Sequence, residues 1–280
     1  MIPLFFPNVS KEAIKAVTNT LKGRFIGQGK KVEEFEKKLS FLGENVLTLN
    51  SGTSALELAY DLLPLKKGDE VITSVFTAPG TNLPLVRRGV KIVFADVTNQ
   101  LLMDWKDVKR KITPNTKAIV NVHLFGLYNK APKLNIPVIG DACQYLDKTE
   151  NELFTAYSFQ ASKIITTVDG GALVCKRKKD YKRAKLLRWY GMERNKDVMD
   201  VDIKEAGYKY HMNDVTASLG IVGLKDLKKL KREREKLQEC YSENLEEVTP
   251  IGGSPYLIYT ENRDKLKKEL LKHGVETGLV

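Results

Sequence analysis

Three short stretches carry side chains that could do chemistry together. Asn50-Ser51-Gly52-Thr53-Ser54-Ala55-Leu56 follows an apolar run and opens a segment of helical periodicity. A Ser-Gly-Thr turn there offers unbonded backbone N–H groups and hydroxyls, the makings of a phosphate cradle at a helix N-terminus. The same string is also an ordinary helix cap. Ile136-Pro137-Val138-Ile139-Gly140-Asp141-Ala142 places Asp141 at the C-terminal end of a buried type of strand, the edge where ligands of open α/β sheets gather. A carboxylate there is costly to bury unless a positive group meets it, and capping the next helix is its plainer role. Ser158-Phe159-Gln160-Ala161-Ser162-Lys163 follows a further strand and puts a lysine at the same edge. A loop lysine is ordinarily a solvated charge, but one held beside a carboxylate and a phosphate cradle can serve as a nucleophilic amine. A phosphate cup, an acid for a pyridinium nitrogen and an amine for an aldehyde are together what pyridoxal phosphate requires.

The elements that must position these residues are legible as alternating apolar runs and amphipathic segments. Ser10 is a candidate cap for a first helix over Asn8–Leu21, with Ile14, Val17 and Leu21 on one face. Three glycines between positions 23 and 29 mark a loop before a second helix, Val32–Leu42, whose Val32, Phe35, Leu39 and Leu42 face inward. Strands are expected at 46–49, 71–75, 91–97, 118–122, 138–139, 156–159 and 171–175, with helices from the Ser-Gly-Thr turn through Leu63 and over 83–88. That alternation predicts an α/β fold built on a mostly parallel, doubly wound sheet. The composition changes near Gly223, where a long charged helix is expected to begin. A tail follows with one strand (Tyr256–Tyr259) and one helix (Arg263–His273). The division that results is a large domain over 1–222 and a reduced small domain over 223–280.

Composition narrows the function classes. The 280 residues can bury a core without metals or disulfides, and 42% hydrophobic with 29% charged residues is the balance of a soluble protein. Cys143, Cys175 and Cys240 lack CxxC spacing, and His123, His211 and His273 are scattered, so a disulfide scaffold and a metal site are not expected. No stretch has the apolar length of a membrane helix, and Met1 to Pro7 lacks the features of a signal peptide, which points to the cytoplasm. The net charge is +11, and residues 176–236 hold 19 basic against 10 acidic side chains. A solvated helix face is the plain reading of that excess, and a field attracting an anionic small molecule is the sharper one. Nucleic-acid binding is disfavoured because the basic runs lack interleaved aromatics.

With these motifs in order, the chain resembles the nucleotide-sugar aminotransferases of the DegT/DnrJ/StrS group, fold-type-I pyridoxal-phosphate enzymes. The resemblance takes in Arg24-Phe25-Ile26-Gly27-Gln28-Gly29, the Asn50–Leu56 turn, Gly68-Asp69-Glu70-Val71-Ile72 and Val122-His123-Leu124-Phe125-Gly126. It continues through Asp141-Ala142-Cys143-Gln144, Ser158–Lys163 with Asp169-Gly170-Gly171-Ala172, Arg188-Trp189-Tyr190-Gly191 and Gly207–Asp214. It implies that Lys163 holds the cofactor covalently and shuttles protons, and that Asp141 pairs with its ring nitrogen. It also implies that Gln144 bonds the phenolic oxygen, and that the turn at Gly52 with Thr53, Ser54 and Ser158 holds the phosphate. Lys209 or His211 falls where the group completes the phosphate site of a neighbouring subunit, which implies a homodimer with shared sites. The reaction implied moves an amino group from a glutamate-like donor to a nucleotide-linked keto-sugar, as in deoxyamino-sugar and polysaccharide biosynthesis. The alternatives are a silent cofactor-binding homologue and a sugar dehydratase; relatives of the latter kind carry histidine at the place of Lys163. Three departures stand out. The loop after Gly68-Asp69-Glu70 brings Thr77 or Ala78 to the place of the group's ring-stacking aromatic, with Phe76 as a candidate substitute. The segment between Gly126 and Ile136 is short, and the chain stops at Val280, close to where the group often continues toward the sugar.

Overall fold

The computed structural model describes residues 1–193, 203, 205–245, 249–252 and 255–279. Its centre is a seven-stranded sheet of β1 (Val46–Leu49), β2 (Glu70–Ser74), β3 (Lys91–Ala95), β4 (Thr116–Val122), β5 (Val138–Ala142), β6 (Phe154–Ser158) and β7 (Gly171–Cys175). The spatial order is β1-β7-β6-β5-β4-β2-β3. β7 runs antiparallel to both neighbours and every other pairing is parallel. The expected mostly parallel α/β sheet is therefore observed. From β2 the chain builds outward to β3, and from β4 it builds the other way to β5 and β6. The switch lies between β2 and β4, and beyond their C-terminal ends a doubly wound sheet opens its ligand crevice.

The strands are apolar along their length because helices cover both faces. One face packs Leu47, Val120, Ile139, Ala156 and Leu173 against α3 (Gly52–Asp61), which contributes Leu56, Ala59 and Tyr60. The other face packs Ala142, Tyr157 and Ala172 against α2 (Lys30–Lys38), the 3-10 turn Leu39–Leu42, and α7 (Asp214–Asn244). α1 (Lys11–Leu21) lies on α7 and starts three residues later than the sequence suggested, with Ser10 Oγ accepting the Ala13 N–H at 3.1 Å. α2 has Gly29 at its cap and no side chain there to do the capping. Asp214, from the start of α7, accepts the Gly29 and Val32 N–H groups at 2.7 and 3.1 Å instead. A Cβ on Gly29 would lie 2.7 Å from that carboxylate, so only glycine admits the contact.

Three expectations about elements need correction. α4 (Pro79–Arg87) begins four residues before the expected position 83, because Pro79 occupies the first helical turn, where its missing N–H costs nothing. α5 (Trp105–Lys111), seven residues long and strongly charged, was not anticipated. The long helix starts at Asp214 rather than near Gly223: its first turns, through Ala217, Leu219 and Ile221, are buried and carry no charge contrast to mark them. The expected divide at 222/223 thus falls inside an unbroken helix. The charged half of α7 is largely exposed and makes surface ion pairs, Lys225 with Glu12 and Lys231 with Asp147, which is the solvated face expected. The remainder comprises α6 (Lys178–Arg188), the hairpin β8 (Thr249–Gly252) and β9 (Leu257–Tyr259), and α8 (Arg263–Lys272).

Candidate active site

At the C-terminal edge of the sheet, the β1–α3 turn, the residues after β5 and the end of β6 converge. A Cβ on Gly52 would stand 2.7 Å from Cys143 Sγ and 2.9 Å from Ser158 Cβ, so the turn closes on both. Ser51 Oγ caps α3 by accepting the Ser54 N–H at 3.0 Å. The Gly52 and Thr53 amides, at the head of the helix, have no intrahelical acceptor and lie at its positive end. Thr53 is exposed, and its hydroxyl faces the start of α4, 2.8 Å from where a Cβ on Gly80 would be. Ser54 departs from expectation. Its hydroxyl donates to Asn50 Oδ1 at 2.7 Å and meets Ser51 Oγ at 2.7 Å, so it stitches the turn rather than offering a free donor.

Asp141 is the penultimate residue of β5 and is 5% exposed. Its Oδ1 accepts the Cys143 N–H at 3.1 Å and its Oδ2 accepts the Thr81 hydroxyl at 2.6 Å. Among the described residues no cation pairs with it, so none of them supplies this buried carboxylate with a counter-charge. A pyridinium nitrogen would supply one. Burial, reinforced by Asp141, holds both the Tyr60 phenol and the Cys143 thiol well above their ordinary ranges. Lys163 is near enough to oppose that rise at Cys143, which ties Lys163, Cys143 and Asp141 into one electrostatic neighbourhood. Lys163 sits half-buried in the loop after β6, in a turn closed by its own N–H on the Gln160 carbonyl at 2.9 Å. Its Nζ makes no hydrogen bond or ion pair with the described residues, so the amine is available for covalent work. Gln144 Oε1 accepts the Phe125 N–H at 2.9 Å, which leaves its NH2 end to donate. The cup, the acid and the amine are thus gathered at one edge, and the residues fit the phosphate, ring nitrogen and aldehyde of pyridoxal phosphate.

Phe76 packs against Phe125, ring centroids 6.3 Å apart, in an apolar cluster with Leu102, Val122, Leu124 and Leu257. Thr77, next in the chain, joins the polar side instead, its hydroxyl 2.7 Å from that of Thr81. The strip 207–211 runs beside the β1–α3 turn, the Asn50 N–H donating to the Tyr210 carbonyl at 2.8 Å. Its side chains alternate. Tyr208 and Tyr210 stack at 4.4 Å, the Tyr210 hydroxyl donates to Glu57 of α3, and Met212 is 1% exposed. Tyr208, Tyr210 and Met212 thus have packing partners within their own chain. Lys209 is exposed over Trp189 and Tyr190, and His211 meets Trp189 edge-on at 4.4 Å. The sequence reading missed Thr81 and Tyr60, and named Thr77 only for the place of the ring-stacking aromatic. The four-residue spacing of the threonines was visible, but their tie to a carboxylate sixty residues away was not. No helix among the described residues is long and apolar enough to cross a membrane.

Comparisons with known proteins bear on the family and the fold. A sequence profile of the DegT/DnrJ/EryC1/StrS aminotransferase family matches residues 7–279. A UDP-4-amino-4,6-dideoxy-N-acetyl-beta-L-altrosamine transaminase of Campylobacter jejuni is 34% identical over 265 residues, 88% of this chain and 70% of that protein. Among solved structures, AtS13 of Actinomadura melliaura superposes with a TM-score of 0.91 at 29% identity, covering 100% of this chain and 85% of that one. A Streptococcus pneumoniae protein assigned as a sugar aminotransferase, solved in its PMP form, superposes with a TM-score of 0.90 at 26% identity, covering 99% and 83%.

Proposed function

The chain belongs to the DegT/DnrJ/EryC1/StrS aminotransferase family, whose cofactor is pyridoxal phosphate, and from that premise we propose that it aminates a nucleotide-linked keto-sugar at the expense of a glutamate-like donor. The observation that carries this reading is the meeting of Gly52, Asp141, Ser158 and Lys163 at one sheet edge. When bound, pyridoxal phosphate takes up the donor's amino group, delivers it to the keto carbon and spreads the intervening negative charge over its ring.

The chain's own residues supply the rest. Asp141, which accepts the Thr81 hydroxyl and the Cys143 N–H, would pair with the ring nitrogen and keep a proton on it. Lys163 would be the residue that holds the cofactor at its aldehyde group, and its free amine would remove and return the proton at the substrate carbon. The Gln144 NH2 donates to the phenolic oxygen. The Gly52 and Thr53 amides, with the Thr53 and Ser158 hydroxyls, hold the phosphate at the positive end of α3. Lys209 or His211 serves the phosphate of a partner subunit in a homodimer. Residues 223–280 act as a reduced small domain on the large one.

The test is the half-reaction. Glutamate added to cofactor-loaded protein should convert the visible chromophore to the pyridoxamine form, and a nucleotide-linked keto-6-deoxyhexose should restore it. No conversion with glutamate overturns the aminotransferase reading for this chain; restoration by 2-oxo acids alone overturns the sugar.

A further inference from the structure

Asp141 is held by the Thr81 hydroxyl and the Cys143 N–H rather than by a cation among the described residues. A carboxylate can only accept, so the single proton of the Thr81 hydroxyl must point at Asp141 Oδ2, 2.6 Å away. Thr81 Oγ1 also lies 2.7 Å from Thr77 Oγ1. With Thr81's proton committed, that second bond has one direction: Thr77 donates and Thr81 accepts. Thr81 is fully buried, and its carbonyl accepts the Tyr60 hydroxyl at 2.9 Å. The two threonines are four residues apart where the chain enters α4, whose cap residue is Ala78 and has no capping side chain. Neither hydroxyl is used to cap the helix. The pair forms a directed chain, Thr77 to Thr81 to Asp141, and in a buried setting each such donation polarises the next.

We propose that Thr81 is a positioning residue for Asp141, with Thr77 fixing the direction of its hydroxyl, so that the carboxylate offers a set lone pair to the cofactor's ring nitrogen. This rests on the assignment of Asp141 to that nitrogen. The chain works through Asp141 alone, and that makes it separable from a merely structural role by a double-mutant cycle.

The experiment measures pyridoxal-phosphate dissociation constants of the full chain by absorbance titration. Thr81→Val is compared in two backgrounds, wild type and Asp141→Ala. In the wild-type background it should weaken binding about tenfold, the scale of one lost hydrogen bond to a charged group. In the Asp141→Ala background the same substitution should change binding by less than about twofold. Thr81→Ser, which keeps the hydroxyl, should restore wild-type affinity. Thr77→Val should give a smaller loss that vanishes in the same background. Equal losses in both backgrounds, or a serine variant no better than valine, overturn the proposal. Asp141→Ala binding as tightly as wild type is a different result and removes the Asp141 assignment itself. Thermal midpoints of the cofactor-free proteins check folding, and if Thr81→Val does not fold, Thr77→Val in the two backgrounds decides the matter.

Discussion

At the residue scale, chemistry follows from which atoms have partners. Among the described residues, Asp141 is buried with two donors and no cation, while half-buried Lys163 has none of the bonds that tie down a structural lysine. Asp141→Asn should therefore leave the fold near wild type by circular dichroism and cut transamination at least about a hundredfold, since a neutral partner no longer favours the protonated ring nitrogen. Turnover near wild type would show that the carboxylate has another task. Cys143 gives a second expectation. Burial and Asp141 hold its thiol well above the ordinary range, so it stays protonated near neutral pH. Iodoacetamide at mild alkaline pH should label exposed Cys240 and spare Cys143 in the folded protein, read by peptide mass spectrometry. Lys163, Asp141 and Gly52 were legible because each ends or follows an apolar run, and a strand end is where residue type means most. Thr81 was not, because its meaning is a contact with a residue sixty positions on.

At the element scale, helices are tied by side chains far away in sequence. Asp214 caps α2 from the start of α7, and its loss leaves two buried N–H groups unpaired. Asp214→Ala should cost about 1–3 kcal/mol in urea unfolding. No spacing rule foretold that cap, whereas the local Ser10 cap of α1 was legible from the string alone. The strands were read well because both faces are covered and the runs are continuously apolar. α5 was missed because Trp105–Lys111 holds four basic side chains and too few apolar positions for a period to show. Within α5, bonds from Lys111, the Asp96 N–H and Arg110 bring the Asp107 carboxyl down to about 2, from 3.8 in an unfolded chain. The folded state thus holds its proton less tightly. The stabilisation is complete above about pH 4 and disappears as pH falls through about 2. Denaturation midpoints of wild type should fall over that window more steeply than those of Asp107→Asn.

At the scale of the whole molecule, the chain leaves large apolar side chains exposed along its N-terminal arm and α4, among them Ile2, Phe5, Phe6, Phe25, Leu83 and Val86. Such a surface suits a partner subunit, and the proposed homodimer should weigh twice 31.6 kDa by light scattering. If Lys209 or His211 serves the partner's phosphate, mixing Lys163→Ala with the Lys209→Ala/His211→Ala double variant should restore activity. Random exchange puts one intact site in each mixed dimer, so about a quarter of wild-type activity is expected. No recovery despite proven exchange contradicts the shared site. The sheet and the cofactor edge of this molecule were legible because they are written in apolar runs and strand ends. The path of α7 was not, since tertiary burial hides its first turns. All of this depends on Lys163 being the amine that holds the cofactor. The most direct measurement is borohydride reduction of cofactor-saturated protein followed by peptide mapping. The reduced cofactor should be found on Lys163 and be absent from Lys163→Ala; an adduct on another lysine, or none at all, would contradict the account.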